Sequence, residues 1–567
     1  MILKILSQLF LTILTIAIVT KADAKIIKTT GGPIRGLLRQ WGSLNYYSYM
    51  GIPYAESPTG SLRFMPPVPI KPWTRILDAT REKHLCPQES GKYEREKMNE
   101  DCLFINIHVP VNVNQNVHKL PVLVFVHGGA FRLHSGNSDV LYGPQLFIQH
   151  GVIFVSMNFR LGALGFLSLD IDEASGNAAI KDILLALKWV KENIERFGGD
   201  PNKITLGGHS SGAAIIHCLA VSKHSINLFN QVILISGNAD NPRSLSRHAK
   251  ENALTLAKEL GLPINDVNIL LNKLREINVF DIIDAETNLT KYDEVILRPF
   301  SMFTPTVEIE SSHAIITSEP RELELLQNIK ILTGFNYREG IFLIPKINNT
   351  AKLKKLNKEM ELAIPSNIEY PLKSKISLDL AKSIGEKYFN TNLSNFTLNN
   401  IIDLASDSQY IYGIDSWVKK LKQMNNSNDL YYYIFDFDGG LNWAKLYYKI
   451  DFPGTAHADE LGYVFVTRNT APLLNHVDHK SNLVMNMLLT LFSNFIKYGN
   501  PTPAGFTSDF KWEKYNKDGT LLYIREKPVK GTLSNQLVDR LKFWDDVYEK
   551  YYNYIKSGGK LEKKCIP

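Results

Sequence analysis

The chain of 567 residues has no block of like charge, no internal repeat and no low-complexity linker. Its net charge of +7 is spread thinly. A nucleic-acid-binding arm needs a basic cluster, so we expect no nucleic-acid partner. After the N-terminus no stretch reaches the ~18 apolar residues that a transmembrane helix needs, so we also expect no membrane anchor. The proportions of 44% hydrophobic and 21% charged residues are those of a globular protein.

The one long apolar run lies at the N-terminus. One early lysine precedes an apolar stretch from Ile5 to Val19, which is followed by the small-residue end ADA. This pattern predicts a secretory signal peptide over residues 1–24 and a secreted, extracellular mature chain over residues 25–567. An uncleaved signal anchor is the alternative.

Cysteine is scarce, with four residues in the whole chain. In an exported protein these residues are candidates for disulfide bonds. Cys86 and Cys102 bracket a polar segment and are the expected pair, whose closed loop would stabilise the fold by ~3 kcal/mol in the chain-entropy model. Cys218 lies in an apolar run and is expected to be a buried free thiol. No partner can be assigned to Cys565 in the tail.

N-glycosylation sequons agree with export, and all of them fall in the second half of the chain. If used, they would mark the exposed face of that half. The candidate acceptors are Asn288, Asn348, Asn392, Asn395 and Asn425.

Short apolar runs alternate with longer helical patterns. PVLVFVHGG (121–129) and GVIFVSMNFRLG (151–162) predict buried strands, and residues 183–201 predict an amphipathic helix that ends at a Gly pair. KITLGG, QVILISG, IKILTGF and LYYYIFDF predict further strands. The alternation favours a mostly parallel sheet with helices on both faces. Residues 265–382 are more polar, and we interpret them as insertions in a single large α/β domain.

The stretch GGHSSG carries a G-x-S-x-G motif, with Ser210 between Gly208 and Gly212. It follows the apolar run ITL and precedes a run of small and aliphatic residues, which is the strand-to-helix context of a nucleophilic serine. A serine in a Gly-rich turn is the simpler alternative, because a chain of this composition would show roughly 0.1–0.2 such matches by chance.

A second glycine turn, HGGAF, follows the strand over residues 121–129. Glycines there let backbone N–H groups approach a carbonyl oxygen without a side chain in the way. The amides of Gly128, Gly129 and Ser211 are therefore the candidate donors for a tetrahedral oxyanion.

A catalytic acid and a base are available downstream of Ser210. Glu339 lies in the turn after strand IKILTGF, and His457 lies in a loop after strand LYYYIFDF, which is the chain order serine, acid, histidine of α/β-hydrolases. Asp436 and Asp438, at the end of that second strand, are alternative acids.

Six segments together resemble the type-B carboxylesterase/lipase family, the cholinesterase-like branch of the α/β-hydrolases. They are HGGAF, EDCLFINIHVP, NFRLGALGFLS, ALKWVKENIERFGGDPNKITLGGHSSGA, TGFNYREGIF and GTAHADELGYVF. They extend over nearly all of the mature chain in the family's order, and they are most similar to insect carboxylesterases, a group that includes juvenile hormone esterases. The resemblance implies the α/β-hydrolase fold.

The resemblance also implies roles for single residues. It assigns the nucleophile to Ser210, the acid to Glu339 rather than Asp436, the base to His457, and the oxyanion donors to Gly128, Gly129 and Ser211. It further implies a Cys86–Cys102 disulfide, a structural salt bridge between Glu100 and Arg160, and a place for Ser236 beside the triad acid.

The chain departs from the family beside the nucleophile. His209 stands where relatives commonly have Glu or Gln, and Ser211 replaces the usual alanine. We expect His209 to lie beside the triad and to titrate near neutral pH. The Cys86–Cys102 loop lacks the tryptophan that binds quaternary ammonium groups in cholinesterases, so choline esters are not expected substrates.

These features predict a secreted serine esterase that acts on small apolar esters, such as xenobiotic, hormone or lipid esters, through an acyl-enzyme. No metal or cofactor is implied. The alternatives are a slow scavenger of reactive esters and a non-catalytic binding or adhesion protein on the same fold.

Overall fold

The computed structural model describes residues 24–91, 93–111, 119–138, 141–291, 301–347, 350–389, 397–424, 428–506 and 510–552. The predicted signal peptide, apart from its last residue, and Cys565 lie outside these ranges, as do four of the sequon asparagines, Asn348, Asn392, Asn395 and Asn425. Asn288 is described and is exposed on a helix.

A large mixed β-sheet forms the centre of the fold, and a separate two-stranded sheet lies beside it. The strands are β1 (Ala24–Lys28), β2 (Pro33–Trp41), β3 (Leu44–Pro53), β4 (Leu77–Asp78), β5 (Phe104–Pro110), β6 (Leu120–Val126), β7 (Ile153–Met157), β8 (Ser168–Ile171), β9 (Ala174–Ser175), β10 (Gly199–His209), β11 (Gln231–Ile235), β12 (Lys330–Asn336), β13 (Leu430–Phe435), β14 (Leu521–Ile524) and β15 (Val529–Gly531).

The strand order of the large sheet is β1-β2-β3-β5-β7-β6-β10-β11-β12-β13-β14-β15, with β4 beside β2. Every pairing from β7 to β14 is parallel. Apart from the parallel β2–β4 pair, the pairings from β1 to β7 and the β14–β15 pair are antiparallel. The predicted parallel sheet is therefore confirmed at the centre, whereas the antiparallel N-terminal edge was not predicted, because its strands mix polar and apolar residues.

Helices cover the sheet on both faces. Their bounds are α1 (Gln145–Gln149), α2 (Gly162–Phe166), α3 (Ala178–Asn193), α4 (Ser211–Ala220), α5 (Ala249–Glu259), α6 (Val267–Glu276), α7 (Val279–Lys291), α8 (Ile344–Ile347), α9 (Thr350–Lys358), α10 (Lys375–Phe389), α11 (Leu398–Ser406), α12 (Tyr412–Gln423), α13 (Trp443–Tyr448), α14 (Leu461–Val464), α15 (His479–Tyr498) and α16 (Asn535–Val547). A π-helical turn, Asp407–Ile411, joins α11 to α12. Among the described residues no helix is both long and apolar enough to span a bilayer.

The core divides into two apolar clusters, one on each face of the sheet. In β6 every residue is buried. Val122, Val124 and Val126 belong to one cluster, and Leu123 and Phe125 belong to the other. Because successive side chains of a strand point to opposite faces, a strand that is apolar throughout must be covered on both. This explains why the central strands are recognisable as uninterrupted apolar runs.

The predicted helix at residues 183–201 differs in its bounds. Helix α3 begins at Ala178, and a 3-10 turn, Ile194–Phe197, continues it. Gly198, with a φ of 85°, ends the turn in a left-handed conformation that glycine adopts without strain. Strand β10 then begins at Gly199, so the helical segment ends at the predicted Gly pair.

One predicted salt bridge is wrong. Glu100 pairs with Arg63, with 2.6 Å between Arg63 Nη2 and Glu100 Oε2. Arg160 pairs instead with the fully buried Asp182 of α3, with 2.6 Å between Nη2 and Oδ1, and its backbone N–H also donates to Asp182. Each arginine thus has a buried or nearly buried carboxylate of its own, and the unpredicted partners, Arg63 and Asp182, both lie outside the six segments that carry the family resemblance.

The cysteine predictions agree with the structure. Cys86 and Cys102 form a disulfide with a Cα–Cα distance of 5.0 Å. Cys218 is a buried free thiol on α4, and burial raises its pKa far above the usual value. The thiolate is therefore strongly disfavoured at Cys218, which makes it a packing residue.

Candidate active site

Ser210 sits at a sharp turn between strand β10 and helix α4. Its φ of 56° and ψ of −121° place a non-glycine residue in a sparsely populated region of backbone space. Its backbone N–H donates to Ile235 O, at 2.8 Å, which ties the turn to the end of β11. The turn therefore holds the serine side chain at the carboxyl end of the parallel strands.

Two glycines allow this turn to lie against neighbouring backbone. A Cβ added to Gly212 would lie 2.3 Å from Val126 O and 2.7 Å from His127 O. A Cβ added to Gly208 would lie 2.7 Å from the Ile216 side chain. Both glycines of the G-x-S-x-G motif are therefore required by close packing between the turn, helix α4 and the end of β6.

The structure brings Ser210, His457 and Glu339 into one hydrogen-bonded chain. His457 Nε2 lies 2.9 Å from Ser210 Oγ. His457 Nδ1 lies 2.5 Å from Glu339 Oε2. In the tautomer whose Nδ1–H donates to Glu339 Oε2, Nε2 is the nitrogen that accepts a hydrogen bond from the serine hydroxyl. The His457 backbone N–H also donates to Glu339 O, at 3.1 Å, so the loop and the turn are linked by main chain as well.

These three residues are far apart in sequence but follow neighbouring strands. Ser210 follows β10, and Glu339 opens a 3-10 turn, Glu339–Leu343, just after β12. His457 lies in the loop region after β13, which pairs with β12. Because carboxyl ends of parallel strands meet at one edge of a sheet, the topology gathers the residues there.

Burial sets the protonation of the pair formed by His457 and Glu339. Burial, with a smaller contribution from the Arg243 guanidinium, lowers the pKa of His457 to about 3. Burial raises the pKa of Glu339 to about 8, although hydrogen bonds from the Asn336 backbone and Ser236 oppose the rise. The imidazole is thus neutral in the resting site, which is the form that can accept a proton.

A second buried carboxylate, Glu460, lies beside Glu339. Ser236 Oγ donates to Glu460 Oε1 at 2.9 Å, and the Asn336 side-chain amide donates to Glu460 Oε2. The Asn336 backbone N–H donates to Glu339 Oε1 at 2.7 Å. Burial and the charge of Glu339 raise the pKa of Glu460 to about 8. Ser236 therefore lies between Glu339 and a second carboxylate, Glu460, which the sequence analysis did not single out although it is only three residues after His457.

The predicted oxyanion donors need one correction. The Gly128 N–H donates to the Tyr142 hydroxyl at 3.1 Å and is not available to a substrate. Among the described residues no acceptor is bound by the amides of Gly129, Ala130 or Ser211. Gly129 and Ala130 have φ values of 126° and 53°, so this turn is left-handed at both positions. Which amides of HGGAF face the serine depends on these dihedral angles, which the motif does not reveal.

His209 lies beside the triad but does not have the predicted charge behaviour. Its ring centroid is 4.7 Å from that of His457, and the residue is 5% exposed. Burial, followed by the adjacent His457, lowers the pKa of His209 well below its usual value. The expectation of titration near neutral pH is therefore wrong, because the side chain stays neutral there.

Two further rings enclose His457. Phe342 lies 5.3 Å and Tyr410 4.5 Å from its ring centroid. Phe342 is in the same turn as Glu339, whereas Tyr410 comes from the π-helical turn between α11 and α12. Phe342 ends the segment TGFNYREGIF, whereas no quoted segment contains Tyr410, and only the packing shows that both rings lie against the imidazole. The His457 side chain is consequently held between aromatic rings.

The alternative acids are engaged elsewhere. Asp436 forms a salt bridge with Arg525 and Asp438 one with Lys445, each with an N–O distance of 2.6 Å. Neither is hydrogen-bonded to His457. Within the described part of the chain no group of three or more His, Cys, Asp or Glu side chains could hold a metal ion.

Known proteins resemble this chain in sequence and in structure. The sequence model of the carboxylesterase family matches residues 23–544. Juvenile hormone esterase of Heliothis virescens is 30% identical over 520 residues, covering 88% of this chain and 89% of that protein. Venom carboxylesterase-6 of Apis mellifera is 30% identical over 543 residues, covering 92% and 94%, respectively.

A solved structure extends the resemblance to three dimensions. The crystal structure of juvenile hormone esterase from Manduca sexta, with OTFP covalently attached, has a TM-score of 0.83 and 30% sequence identity, and the match covers 93% of this chain and 100% of that chain. The family match spans nearly the whole sheet and every element that carries the site. The chain therefore belongs to the carboxylesterase family, as a carboxylic ester hydrolase with the α/β-hydrolase fold.

Proposed function

We propose that this enzyme hydrolyses small apolar carboxylic esters through a covalent acyl-enzyme on Ser210. His457 accepts the hydroxyl proton while Ser210 Oγ attacks the ester carbonyl, and it then donates that proton to the leaving alcohol. Water repeats the sequence and releases the acid. The observation that carries the proposal is the chain of 2.9 Å and 2.5 Å contacts from Ser210 through His457 to Glu339.

Backbone amides supply the electrostatic stabilisation in this mechanism. We assign the oxyanion donors to Gly129, Ala130 and Ser211, because these amides adjoin the nucleophile and bind no other described acceptor. A negative charge develops on the carbonyl oxygen in the transition state. Donors of this kind contribute about 3–4 kcal/mol each when that charge forms in a site without water.

Glu339 holds the imidazole in the required tautomer and stabilises the imidazolium that forms during each step. Its own carboxylate is buried and held by the Asn336 amide, so the acid keeps one orientation. The two proton transfers thus use a single side chain, His457, whose low pKa makes it neutral before each attack.

The substrate class follows from the apolar rings around His457 and from the relatives. Phe342 and Tyr410 favour apolar groups near the reacting ester. The named relatives include juvenile hormone esterases, one of which holds OTFP covalently. We therefore place xenobiotic, hormone or lipid esters ahead of choline esters as substrates.

We also propose that residues 1–24 direct secretion and are removed, and that sequon asparagines are glycosylated. The apolar N-terminal run with its ADA end supports the first proposal, and the exposed Asn288 on α7 supports the second. Sequencing the N-terminus of the secreted protein should give a start near Lys25. A start at Met1 would contradict removal of the leader.

Covalent labelling tests the nucleophile directly. The purified enzyme should hydrolyse naphthyl acetate and should lose that activity when an organophosphate forms an adduct on Ser210. Because Ser211 is adjacent, the adduct should be mapped by fragment-ion mass spectrometry in wild type, in Ser210→Ala and in Ser211→Ala. An adduct that persists in Ser210→Ala would refute the assignment. An adduct on Ser210 without turnover of any ester would indicate a scavenger.

A further inference from the structure

The turn that carries two of the proposed oxyanion donors is strained along its length. Within residues 129–134 three non-glycine residues have positive φ values, which are 53° at Ala130, 64° at Phe131 and 78° at His134. Residues with a side chain populate such dihedral angles sparsely, and the angles persist only where surrounding contacts enforce them. The positions of the Gly129 and Ala130 amides therefore depend on what holds this turn from outside.

One buried side chain holds the end of the turn. The His134 N–H donates to Gln88 Oε1 at 2.8 Å, and Gln88 Nε2 donates to His134 O at 2.9 Å. A neighbouring β-strand makes the same reciprocal pair of hydrogen bonds, which a side-chain amide supplies here. Gln88 is 1% exposed, so water does not compete for these bonds. The amide thus restrains the main chain on both sides of the His134 Cα.

The restrained end lies against the donors. The Arg132 and Leu133 N–H groups donate to Gly129 O at 3.1 Å and 3.0 Å. A Cβ added to Gly129 would lie 2.1 Å from Leu133 O and 2.9 Å from His134 Cδ2. Because the two ends of the turn are in contact, a shift at His134 displaces the peptide groups that carry the oxyanion donors.

Gln88 is itself anchored to the central sheet. Its Nε2 also donates to Cys86 O at 3.2 Å. Cys86 is bonded to Cys102, which lies two residues before β5. The side chain of Gln88 therefore joins the turn at residues 129–134 to a segment that a disulfide fixes to the sheet.

The middle of the turn has separate supports. Phe131 O accepts the Gly162 N–H at 2.8 Å, and the Arg132 side chain pairs with Glu89. These contacts hold one carbonyl group and one side chain. They do not replace the two hydrogen bonds that restrain the His134 main chain.

We propose that Gln88 is a positioning residue for the oxyanion donors, which acts by holding the His134 main chain. The proposal rests on the proposed ester hydrolysis at Ser210. When Ser210 Oγ adds to the ester carbonyl carbon, its proton passes to His457 and the π electrons of the C=O bond move to the oxygen, which becomes the oxyanion. Donors held in place around that oxygen stabilise it without rearrangement. Loss of the Gln88 bonds should therefore weaken binding of the oxyanion and leave binding of the neutral ester unchanged.

Two ketone inhibitors separate these two kinds of binding. An alkyl trifluoromethyl ketone accepts Ser210 Oγ at its carbonyl carbon and forms a tetrahedral adduct with an oxyanion. The methyl ketone of the same alkyl chain binds as the ketone. The ratio of their inhibition constants, methyl ketone to trifluoromethyl ketone, thus measures stabilisation of the oxyanion. The values of kcat and KM for naphthyl acetate are measured in parallel.

Gln88→Met removes both hydrogen bonds to His134 and keeps an unbranched side chain of similar size. The ketone ratio and kcat should both fall about tenfold or more, because a displaced oxyanion donor contributes less to the transition state. KM should change little, since acylation and deacylation both pass through an oxyanion. A ketone ratio that stays at the wild-type value would overturn the proposal.

Gln231→Met is the matched control, because Gln231 is also a buried glutamine that binds main chain. It begins β11, at the opposite end of the parallel strands from Ser210, and its Nε2 donates to Phe495 O and Ile496 O at 3.0 Å each. The substitution should lower the melting temperature but leave the ketone ratio at the wild-type value. If the ratio falls equally in both variants, loss of stability is the cause and the proposal is wrong.

Gln88→Glu provides a second test that does not require the methionine variant to fold. The protonated carboxyl has the shape of the amide and offers His134 both a donor and an acceptor, whereas the ionised carboxylate only accepts. The charged side chains that line a small cavity with it, Glu89, Arg132 and Glu286, are present in wild type as well. The ratio of kcat/KM in the variant to that in wild type should therefore fall as the pH rises.

Independence of this last ratio from pH would overturn the proposal even if Gln88→Met does not fold. A failure of the proposed function has a different signature, because wild type would then hydrolyse no ester.

Discussion

At the scale of single residues, the chemistry depends on which buried groups hold protons. Burial lowers the pKa of His457 to about 3 and raises the pKa values of Glu339 and Glu460 to about 8 each. The two carboxylates share a hydrogen-bond network through Ser236 and Asn336. Two acids so close to one another do not ionise independently. The pH dependence of kcat/KM should therefore reflect the coupled ionisation of these two carboxyl groups.

Glu460→Gln should extend activity to lower pH. The charge of Glu339 raises the pKa of Glu460, so the two carboxyls oppose each other's ionisation. The amide removes the competing acid, so Glu339 becomes fully ionised at a lower pH. The acid limb of the kcat/KM profile should move to lower pH. Stopped-rate assays with a neutral ester across the pH range measure this shift.

Ser236→Ala is the matched comparison, because it should move the same limb in the opposite direction. The Ser236 hydroxyl lowers the pKa of Glu339, and its loss raises that pKa. If the acid limb of the kcat/KM profile shifts in the same direction in both variants, the shared hydrogen-bond network is contradicted.

His209→Gln should leave the pH–rate profile unchanged between about pH 5 and 8. The pKa of His209 is held well below its usual value by burial, so this side chain has no charge to lose in that window. The informative quantity is the pH at which each limb of the profile lies, and not the rate itself. Disappearance of a limb in the variant would show that His209 titrates there.

At the scale of elements, the turn between β10 and α4 forms because glycine lets the turn, helix α4 and the end of β6 pack closely against one another. A Cβ added to Gly212 would lie 2.3 Å from Val126 O, so the Ser210 turn packs directly against the strand that precedes HGGAF. The motif G-x-S-x-G could be identified from sequence because its glycines are local. The turn HGGAF was also identifiable, but the direction of its amides was not, since it depends on the left-handed dihedrals of Gly129 and Ala130.

Gly212→Ala should damage stability and catalysis together. The added methyl overlaps Val126 O and His127 O, and overpacking of this kind costs about 1–3 kcal/mol. It should also shift Ser210 and slow its labelling by an organophosphate. Denaturant unfolding and labelling rates measure the two effects.

Gly385→Ala is the control for that variant. Gly385 lies within α10, where an added Cβ would meet only Met360 Cγ at 3.8 Å. Alanine should stabilise the helix by about 0.5–1 kcal/mol and leave labelling at its normal rate. If the two substitutions change stability and labelling rate equally, the close contact at Gly212 is not the cause of the losses.

At the scale of the whole molecule, the parallel sheet collects side chains from distant segments and buries many ionisable groups. Buried histidines with lowered pKa values are neutral in the folded protein. His108 and His457 have values of about 3, and His127 and His217 have values of about 4. Buried carboxyls instead keep their protons to higher pH than they would in the unfolded chain. These two sets affect stability in opposite directions.

The free energy of unfolding should decrease as the pH rises from about 6.5 to 8. Above pH 6.5 a histidine with a lowered pKa is neutral in both states and contributes no slope. Glu339 and Glu460, with pKa values of about 8, and Asp459, at about 7, still bind protons when folded but not when unfolded. Stability is therefore lost as the pH rises through these values. Between about pH 4.5 and 6.5 the buried histidines make stability rise with pH and the buried carboxyls make it fall, so the two effects oppose each other.

Melting temperatures measured from pH 5 to 8.5 test this expectation. The decrease above pH 6.5 should be smaller in Glu460→Gln, because one of the contributing groups is absent. A melting temperature that rises steadily to pH 8 would contradict the assignment of raised pKa values to the buried carboxyls.

Sequence patterns alone identified the family, the central parallel strands and the candidate residues Ser210, Glu339 and His457. Apolar runs, glycine turns and the order of motifs along the chain can be recognised without knowing which residues they contact in the fold. The sequence also predicted the Cys86–Cys102 pair, because both residues flank one short polar loop.

Only the tertiary structure decided which groups face each other and how deeply they are buried. It paired Glu100 with Arg63 and Arg160 with Asp182, and it directed the Gly128 amide to Tyr142. Partners and pKa values depend on distances across strands and helices that are far apart in sequence. Burial in the assembled site, which no local pattern encodes, therefore controls the charges on which its chemistry depends.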